Sequence, residues 1–223
     1  MAEPQERVEG QPQNRERRRY ISERGPFEIR ANPEIRQPRP KGTTNEVRAL
    51  QVFEHSDLAE KYGEAPVAEK IIEMHKALAG GLTSTSLFAQ RDTPGGMTLS
   101  HVWMGANFLI YRHSHPRGGD CLYYVVAGEV SLGRRKLRAG SVVFLPSGMP
   151  YKFRAGPAGA EVLEFRAGGG DPNAPGLKLE EHSLDSLQNL IDEGKAHRDG
   201  WVVPEKIGDT ALRQAEVDAR ADE

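Results

Sequence analysis

Short apolar runs separated by glycines distinguish the middle of this chain from its two ends. Between residues 83 and 166, β-branched and aromatic residues form short runs bounded by single or paired glycines. Such runs are typical of strands, and no helical period of apolar positions crosses the region. The pattern predicts an all-β sandwich or barrel. The predicted strands are residues 97–104, 108–114, 121–126, 129–132, 142–145, 152–154 and 161–166.

Helical patterns flank this region on both sides. Pro66 opens a segment that ends at paired glycines, and Ser183 precedes a second one that ends in basic residues. Proline suits the first helical turn and serine is a strong N-cap, so we expect a helix to begin at each. The first would pack an apolar face on the strands or on a second subunit. The apolar positions are Val67, Ile71, Ile72, Met74 and Leu78 in the first, and Leu187, Leu190 and Ile191 in the second.

Composition changes sharply outside these elements and sets the predicted domain boundaries. Residues 1–44 are rich in Arg, Pro and Glu with few aliphatic side chains, which predicts a disordered N-terminal arm. Residues 45–82 would form a helical cover, with a short strand at 45–54, and residues 83–166 the β-barrel. Residues 167–223 would add a loop, the C-terminal helix and a loose charged tail.

Overall composition excludes several classes of function. The 223 residues are 37% hydrophobic and carry a formal net charge of −2, which suits one folded domain and disfavours a general nucleic-acid binder. No apolar run is long enough to cross a membrane. Cys121 is the only cysteine, so a disulfide framework is impossible, and the N-terminus has no signal-like segment. We therefore expect a cytoplasmic protein.

Candidate chemistry begins with two histidines at the end of a predicted strand. His113 and His115 are two residues apart, so a strand places both imidazoles on one face. Residues 121, 123 and 125 of the next strand also share a face. If that face is the interior, the Cys121 thiol lies toward the histidines. Alternatively, the histidines form a polar strand end and Cys121 is a small core residue; spacing alone favours neither.

These residues resemble the motifs of the cupin superfamily. Its first motif has the form G-x5-H-x-H-x3-4-E-x6-G, and its second has the form G-x5-P-x-G-x2-H-x3-N. The resemblance covers about residues 83–166 and implies an all-β cupin-type double-stranded β-helix, or jelly roll, with flanking helices. The matching positions are His113, His115 and Gly128 in the first motif, and Gly140, Pro146 and Gly148 in the second.

The chain departs from these motifs at the residues that the family uses to bind metal. The resemblance implies three histidines and one glutamate, but Tyr151 stands at the third histidine. Counting back from the last glycine of the first motif places Cys121 at the glutamate position, whereas counting forward from His115 places Asp120 there. Both alternatives remain open. A site of His113, His115 and either residue would suit a divalent metal, with Fe, Zn or Cu favoured if the thiolate binds.

Two classes of function fit this set of residues. In the first, a metal held by the histidines leaves positions open for a small substrate, and the resemblance then implies a dioxygenase, isomerase or lyase. In the second, the interior binds a small molecule without metal. His113 or His115 would then act as a base and Tyr151 as an acid, as in the metal-free sugar epimerases of the superfamily. A non-catalytic ligand sensor is a further form of the second class.

Residues in phase with the histidines and Tyr151 predict the lining of the site. This lining is apolar and aromatic, which favours an apolar or aromatic substrate over a phosphorylated one. On the last strand, Leu163 and Phe165 form the apolar pair, so we expect Glu164 to point outward. Small cupins often pair through strand edges and helices, so a homodimer is expected. The predicted lining residues are Leu109, Tyr111, Tyr123, Val125 and Phe153.

Overall fold

The computed structural model describes residues 19–21, 28–30, 33–37, 65–90, 96–168, 176–181 and 183–221. The chain divides into two units, Met1–Glu34 and Ile35–Glu223. In the first unit, strand β1 (Arg19–Ile21) pairs antiparallel with β2 (Glu28–Arg30). Two short strands therefore interrupt the arm that composition predicts to be disordered. Most of that arm and the predicted strand at 45–54 lie outside the described residues.

The second unit is built on one six-stranded antiparallel sheet with helices around it. The sheet has the order β3-β4-β9-β6-β7, and β8 also pairs with β6. A separate antiparallel pair joins β5 to β10. The all-β class with flanking helices is thus confirmed. The strands are β3 (Leu82–Ala89), β4 (Thr98–Met104), β5 (His113–Ser114), β6 (Asp120–Leu132), β7 (Arg135–Arg138), β8 (Val142–Leu145), β9 (Arg154–Ala167) and β10 (Lys178–Leu179).

Strand boundaries differ from the predicted ones where a glycine sits inside a strand. The predicted strands 121–126 and 129–132 form the single strand β6, because Gly128 adopts a φ of 73° within it and the register shifts there. Few other residues tolerate this conformation. Residues 152–154 and 161–166 likewise belong mostly to one strand, β9. Strand β3 was not predicted, and the predicted strand 108–114 is reduced to β5.

The two faces of the sheet are distinguished by the alternation along β6. Cys121, Tyr123 and Val125 are buried, whereas Leu122 and Tyr124 are exposed. We call the face that carries the buried residues the inner face and the opposite one the outer face. Because side chains alternate along a strand, the register with β9 fixes which residues of that strand share each face.

Two helices pack against each other beside the sheet. Helix α1 (Ala65–Leu78) buries Ile71 and Met74, and helix α2 (Leu184–His197) buries Leu187 and Leu190. The predicted apolar faces are therefore confirmed. The predicted cap is also confirmed, because the Ser183 side chain accepts a hydrogen bond from the Ser186 amide at 3.2 Å. No helix in the described part of the chain is long and apolar enough to span a membrane.

A buried carboxylate fixes the third helix, α3 (Thr210–Ala221), to the sheet. Glu161 on β9 accepts hydrogen bonds at 2.8 Å from the backbone amides of Gly208 and Thr210, at the start of the helix. The His101 Nε2 atom donates to the same carboxylate at 2.8 Å. The expectation of a loose charged tail was therefore wrong over this helix, because a distant strand supplies its N-terminal acceptor.

Candidate active site

Three of the predicted site residues converge at one place. The backbones of His113 and Tyr151 are joined by two hydrogen bonds, of 3.0 and 2.9 Å, which set the side chains next to each other. The ring centroids lie 4.4 Å apart for His113 and Tyr151, 5.0 Å for His113 and His115, and 6.1 Å for His115 and Tyr151. The two strand segments therefore bring both imidazoles and the phenol into one cluster.

Backbone carbonyls determine the tautomer of both histidines. The His113 Nδ1 atom lies 2.9 Å from the carbonyl oxygen of Tyr111, and the His115 Nδ1 atom lies 2.9 Å from that of Gly176. A carbonyl oxygen only accepts, so each Nδ1 carries the proton and donates. The lone pair of each neutral ring is consequently on Nε2, where it can accept a proton or bind a metal.

Burial keeps both imidazoles neutral at physiological pH. Desolvation lowers the pKa of His113 to about 4, and the hydrogen bond to Tyr111 only partly opposes this shift. The pKa of His115 is also lowered, first by burial and then by the nearby Arg166 guanidinium. His113 is the more buried of the two, and His115 is partly exposed. The two Nε2 atoms are therefore unprotonated.

A continuous set of hydrogen bonds connects Tyr151 to a buried ion pair. The hydroxyls of Tyr151 and Tyr123 lie 2.9 Å apart, and Tyr123 donates to Glu164 Oε2 at 3.1 Å. The Arg166 Nε atom donates to the other oxygen of Glu164, and Arg166 Nη2 lies 3.4 Å from the Tyr151 oxygen. We call these four residues the Tyr–Glu–Arg network.

The Glu164 carboxylate determines which hydroxyl donates each hydrogen bond in this network. Glu164 accepts from Tyr123, so the Tyr123 oxygen is left to accept the proton of Tyr151. Burial raises the pKa of both phenols well above the usual value. For Arg166, burial lowers the pKa, but the charge of Glu164 and other neighbours outweigh it and the net pKa is raised. Both phenols are protonated and Arg166 is a cation.

Glu164 and Arg166 were missed by reasoning from the sequence, which predicted Glu164 to point outward. Register explains the error, because Tyr123 pairs with Glu164 and Cys121 with Arg166. Paired residues share a face, so both charged side chains lie on the inner face. The spacing of opposite charges two residues apart, in phase with the buried Val162, was the available signal.

The structure separates the two candidates for the glutamate position. Asp120 is exposed on the outer face, where its Oδ1 atom accepts a hydrogen bond from the Ser147 amide at 2.9 Å. The prediction of Asp120 as an inward ligand was therefore wrong, because the alternation of β6 turns it outward. Cys121 is buried on the inner face, but burial raises the pKa of its thiol to about 12. Without a metal, the thiol is consequently protonated.

The two histidines provide only part of the ligand set that the motifs imply for a metal. His113 and His115 each offer a free Nε2, and both rings are oriented by hydrogen bonds as metal ligands usually are. Among the described residues, however, no group of three His, Cys, Asp or Glu side chains is placed to hold a metal ion. Both oxygens of Glu164 already accept hydrogen bonds. The donor set therefore does not fit a metal with three protein ligands.

The predicted lining residues are part of the apolar core next to the cluster. All of them belong to or pack against the main hydrophobic core, and three of their rings contact Tyr151 or His113. Burial raises the pKa of Tyr111 to about 12, so its hydroxyl is neutral. The surroundings of the histidines are consequently apolar apart from the Tyr–Glu–Arg network. The lining residues are Leu109, Tyr111, Tyr123, Val125 and Phe153.

Comparisons with known proteins find likeness only among solved structures. No protein-family model and no curated protein match this chain. The DMSP lyase DddQ from Ruegeria pomeroyi DSS-3 is 24% identical over 45% of this chain and 52% of that chain, with a TM-score of 0.37. The polyketide cyclase RemF from Streptomyces resistomycificus is 20% identical over 52% and 82%, with a TM-score of 0.40. An RmlC-like cupin from Shewanella frigidimarina is 21% identical over 43% and 83%, with a TM-score of 0.34. This chain therefore spans about half the length of the DMSP lyase.

The position of the motif residues identifies the architecture. Gly128, Gly140 and Gly148 all adopt positive φ at the places where the two motifs have glycine. His113 and Tyr151, one from each motif, pair directly with each other. With its antiparallel sheet and flanking helices, the chain has a cupin-type fold.

Proposed function

We propose that this protein is an enzyme that moves a proton within a small organic molecule bound beside His115 and Tyr151, as an isomerase does. The observation that carries the proposal is the convergence of a neutral imidazole pair and a protonated phenol in an otherwise apolar interior. A base and an acid on opposite sides of a substrate are what such reactions need. The apolar lining supports an apolar or aromatic substrate.

The imidazole of His115 is the better placed of the two bases. Its Nε2 lone pair is free because its Nδ1–H donates to Gly176, and the ring is only partly buried. His113 lies deeper, and its pKa of about 4 makes it a weaker base. In the proposed step, a carbon–hydrogen bond of the substrate breaks, the proton goes to Nε2 of His115, and the electron pair stays on the substrate as an enolate.

Tyr151 supplies the matching donor. Its proton points to Tyr123 in the structure and can turn to an oxygen of the substrate as the enolate forms. The Tyr151 oxygen then keeps the contact with Arg166 Nη2, which stabilises negative charge there. His115 finally returns its proton to the same or another carbon, so the step needs no oxidant and no reductant.

Exchange of carbon-bound hydrogen with solvent tests this proposal even while the natural substrate is unidentified. Proton NMR in D2O would follow pyruvate, phenylacetate, mandelate and acetophenone, each with and without the full-length protein. We expect faster exchange than in buffer for at least one compound, and a loss of about tenfold or more in His115→Gln. The proposal would be contradicted if none of the four compounds exchanged hydrogen faster than in buffer. It would also be contradicted if both His115→Gln and His113→Gln kept the exchange rate of the wild type.

A divalent metal is the second candidate, and the shared orientation of the two histidines is the observation in its favour. Both Nε2 atoms are free, and ligands supplied by a substrate would have to complete the coordination. Elemental analysis of protein purified without a chelating tag tests this candidate. Metal near one equivalent that is lost in His113→Ala and His115→Ala would support it. Less than about a tenth of an equivalent would rule it out.

A homodimer through the outer face of the sheet is proposed for the assembly. Five apolar residues lie in register across β8, β6, β9, β4 and β3, and Leu122 and Phe144 are 39% and 60% exposed. A twofold interface brings a surface against its own copy, where like charges would repel, and this row carries no charge. We call Phe144, Leu122, Phe165, Leu99 and Phe88 the outer apolar row.

A further inference from the structure

The most unusual group near the histidines is the guanidinium of Arg166. Its side chain is only 12% exposed, and its Nε–H donates to Glu164. Guanidinium has five N–H donors in a planar fork, and pairs of them match the two oxygens of a carboxylate. Arg166 Nη2 has only the long contact of 3.4 Å to Tyr151, and Nη1 has no acceptor among the residues that the structure describes. The two Nη atoms of Arg166 therefore have N–H groups that can donate to a ligand.

A glycine packs closely beside this end of Arg166. Gly118 lies in the turn before β6, where its amide donates to the His115 carbonyl at 3.0 Å. A Cβ atom at Gly118 would lie 3.0 Å from Arg166 Nη1 and 3.1 Å from the His115 Cβ atom. Any side chain here would therefore crowd the guanidinium on the side that faces His115.

The balance of donors and acceptors favours an anionic group at this position. Both oxygens of Glu164 accept hydrogen bonds, one from Arg166 and one from Tyr123. Donors at the Nη atoms remain in excess, while the formal charges of Arg166 and Glu164 cancel. A group that brings two acceptor oxygens and a single negative charge matches this arrangement. A phosphate dianion would place two negative charges beside a pair of zero net charge, at a high cost in an apolar interior.

We propose that Arg166 binds a carboxylate of the substrate through its Nη atoms, with Gly118 providing the room. This inference rests on the proposed function and narrows its substrates to small monocarboxylic acids. The carboxylate on Arg166 would place the α-carbon of such an acid toward Nε2 of His115 and the Tyr151 hydroxyl. Arg166 would then also stabilise the negative charge that grows on the carboxylate when the α-proton leaves.

Binding of simple acids to the full-length protein tests this inference. Isothermal titration would compare acetate and benzoate with their neutral counterparts acetamide and benzamide, and benzenephosphonate would represent the dianion. We expect saturable binding of at least one carboxylate, about tenfold or more weakened in Arg166→Gln and in Gly118→Ala. Gly200→Ala is the matched control, because a Cβ atom at Gly200 meets nothing within 4 Å. We expect it to bind like the wild type.

The outcomes separate this inference from the proposed function. No saturable binding of either carboxylate, equal binding of acid and amide, tighter binding of the phosphonate, or unchanged binding in both Arg166→Gln and Gly118→Ala would overturn the carboxylate assignment. An acceleration of acetophenone exchange over buffer as large as that of the acids would also overturn it, yet would leave the proton-transfer function standing. Because Arg166→Gln leaves Glu164 buried without its partner, the Glu164→Gln, Arg166→Gln double variant provides a charge-balanced replacement, and it should likewise fail to bind carboxylate.

Discussion

His113 owes its protonation state to burial and to one backbone carbonyl. In the unfolded chain its pKa returns to the ordinary value near 6.5, whereas in the folded protein it is about 4. The unfolded state therefore takes up the proton first as the pH falls. The contribution of His113 to stability is complete above about pH 6.5 and is lost as the pH drops toward 4.

This linkage gives a prediction for the pH dependence of stability. Between pH 7 and pH 4.5, the wild type should lose up to about 3 kcal/mol more of its free energy of unfolding than His113→Gln does. Urea unfolding at the two pH values, in the presence of EDTA, measures the difference. Gly200→Ala, which removes no titratable group and places its Cβ atom in open space, is the control and should lose as much as the wild type. An equal loss in wild type and His113→Gln would show that folding does not lower the pKa of His113.

At the scale of single residues, the sequence predicted the cluster of two histidines and a tyrosine but not the ion pair beside it. His113, His115 and Tyr151 could be found because strand alternation and motif spacing are local signals. Glu164 and Arg166 could not, since their face depends on which residues of β6 they pair with. Neighbouring Leu163 and Phe165 suggested the opposite face, because apolar residues are usually the buried ones. Here they lie on the outer face instead.

Helix α3 depends on a single side chain of strand β9. The Glu161 carboxylate is fully buried, and three donors reach it from His101, Gly208 and Thr210. Burial raises the pKa of this group, but the hydrogen bonds from His101 and the two amides outweigh that effect and hold the pKa below its usual value. The carboxylate thus satisfies two amides at the start of the helix and complements its dipole.

Removal of this charge should loosen the helix. We expect Glu161→Gln to reduce the free energy of unfolding by about 3 kcal/mol, because His101 then lies buried against an amide and the helix loses a charged acceptor. Limited proteolysis should cut first near residues 202–210. The control is Glu216→Gln, an exposed residue of the same helix, which should change stability by less than about 0.5 kcal/mol. Equal stability of both variants would contradict this role of Glu161.

Close packing between α1 and α2 reverses the usual effect of glycine in a helix. Gly194 lies where a Cβ atom would be 2.8 Å from the Ala77 carbonyl oxygen. Alanine normally stabilises a helix by about 1 kcal/mol over glycine. Here we expect Gly194→Ala to destabilise the protein by about 1–3 kcal/mol, because backbone atoms have to move. Thermal unfolding against Gly200→Ala checks the prediction, and a rise in the melting temperature of Gly194→Ala would disprove it.

The elements that the sequence predicted best are the helices whose own residues contain the cap or the apolar period. The start of α2 was predicted from the Ser183 cap, and α1 from its apolar period between Pro66 and the terminal glycines. Helix α3 has no comparable signal, because its acceptor comes from Glu161, far away in the chain. Strand β6 was split in two because Gly128 reads as a turn residue, although its positive φ is accommodated within the strand.

At the scale of the whole molecule, the outer apolar row provides a prediction for assembly. If it pairs with a second copy, a charge at its most exposed member should prevent association, since two carboxylates would meet across the twofold axis. Light scattering after size exclusion should give a dimer for the wild type and a monomer for Phe144→Asp. Leu212→Asp, at an exposed position of α3, is the matched control and should remain a dimer. A monomeric wild type would exclude the proposed interface.

The central claim is that the fold brings an acid and a base together around a small molecule. Tyr151 is the most direct residue to test, because the chain offers a matched control in Tyr124, which lies on the outer face of the sheet and is 44% exposed. The decisive measurement is the rate of carbon-bound hydrogen exchange in D2O for the most reactive acid. We predict a rate at least about tenfold lower in Tyr151→Phe, with Tyr124→Phe equal to the wild type. Equal rates in all three proteins would contradict the account.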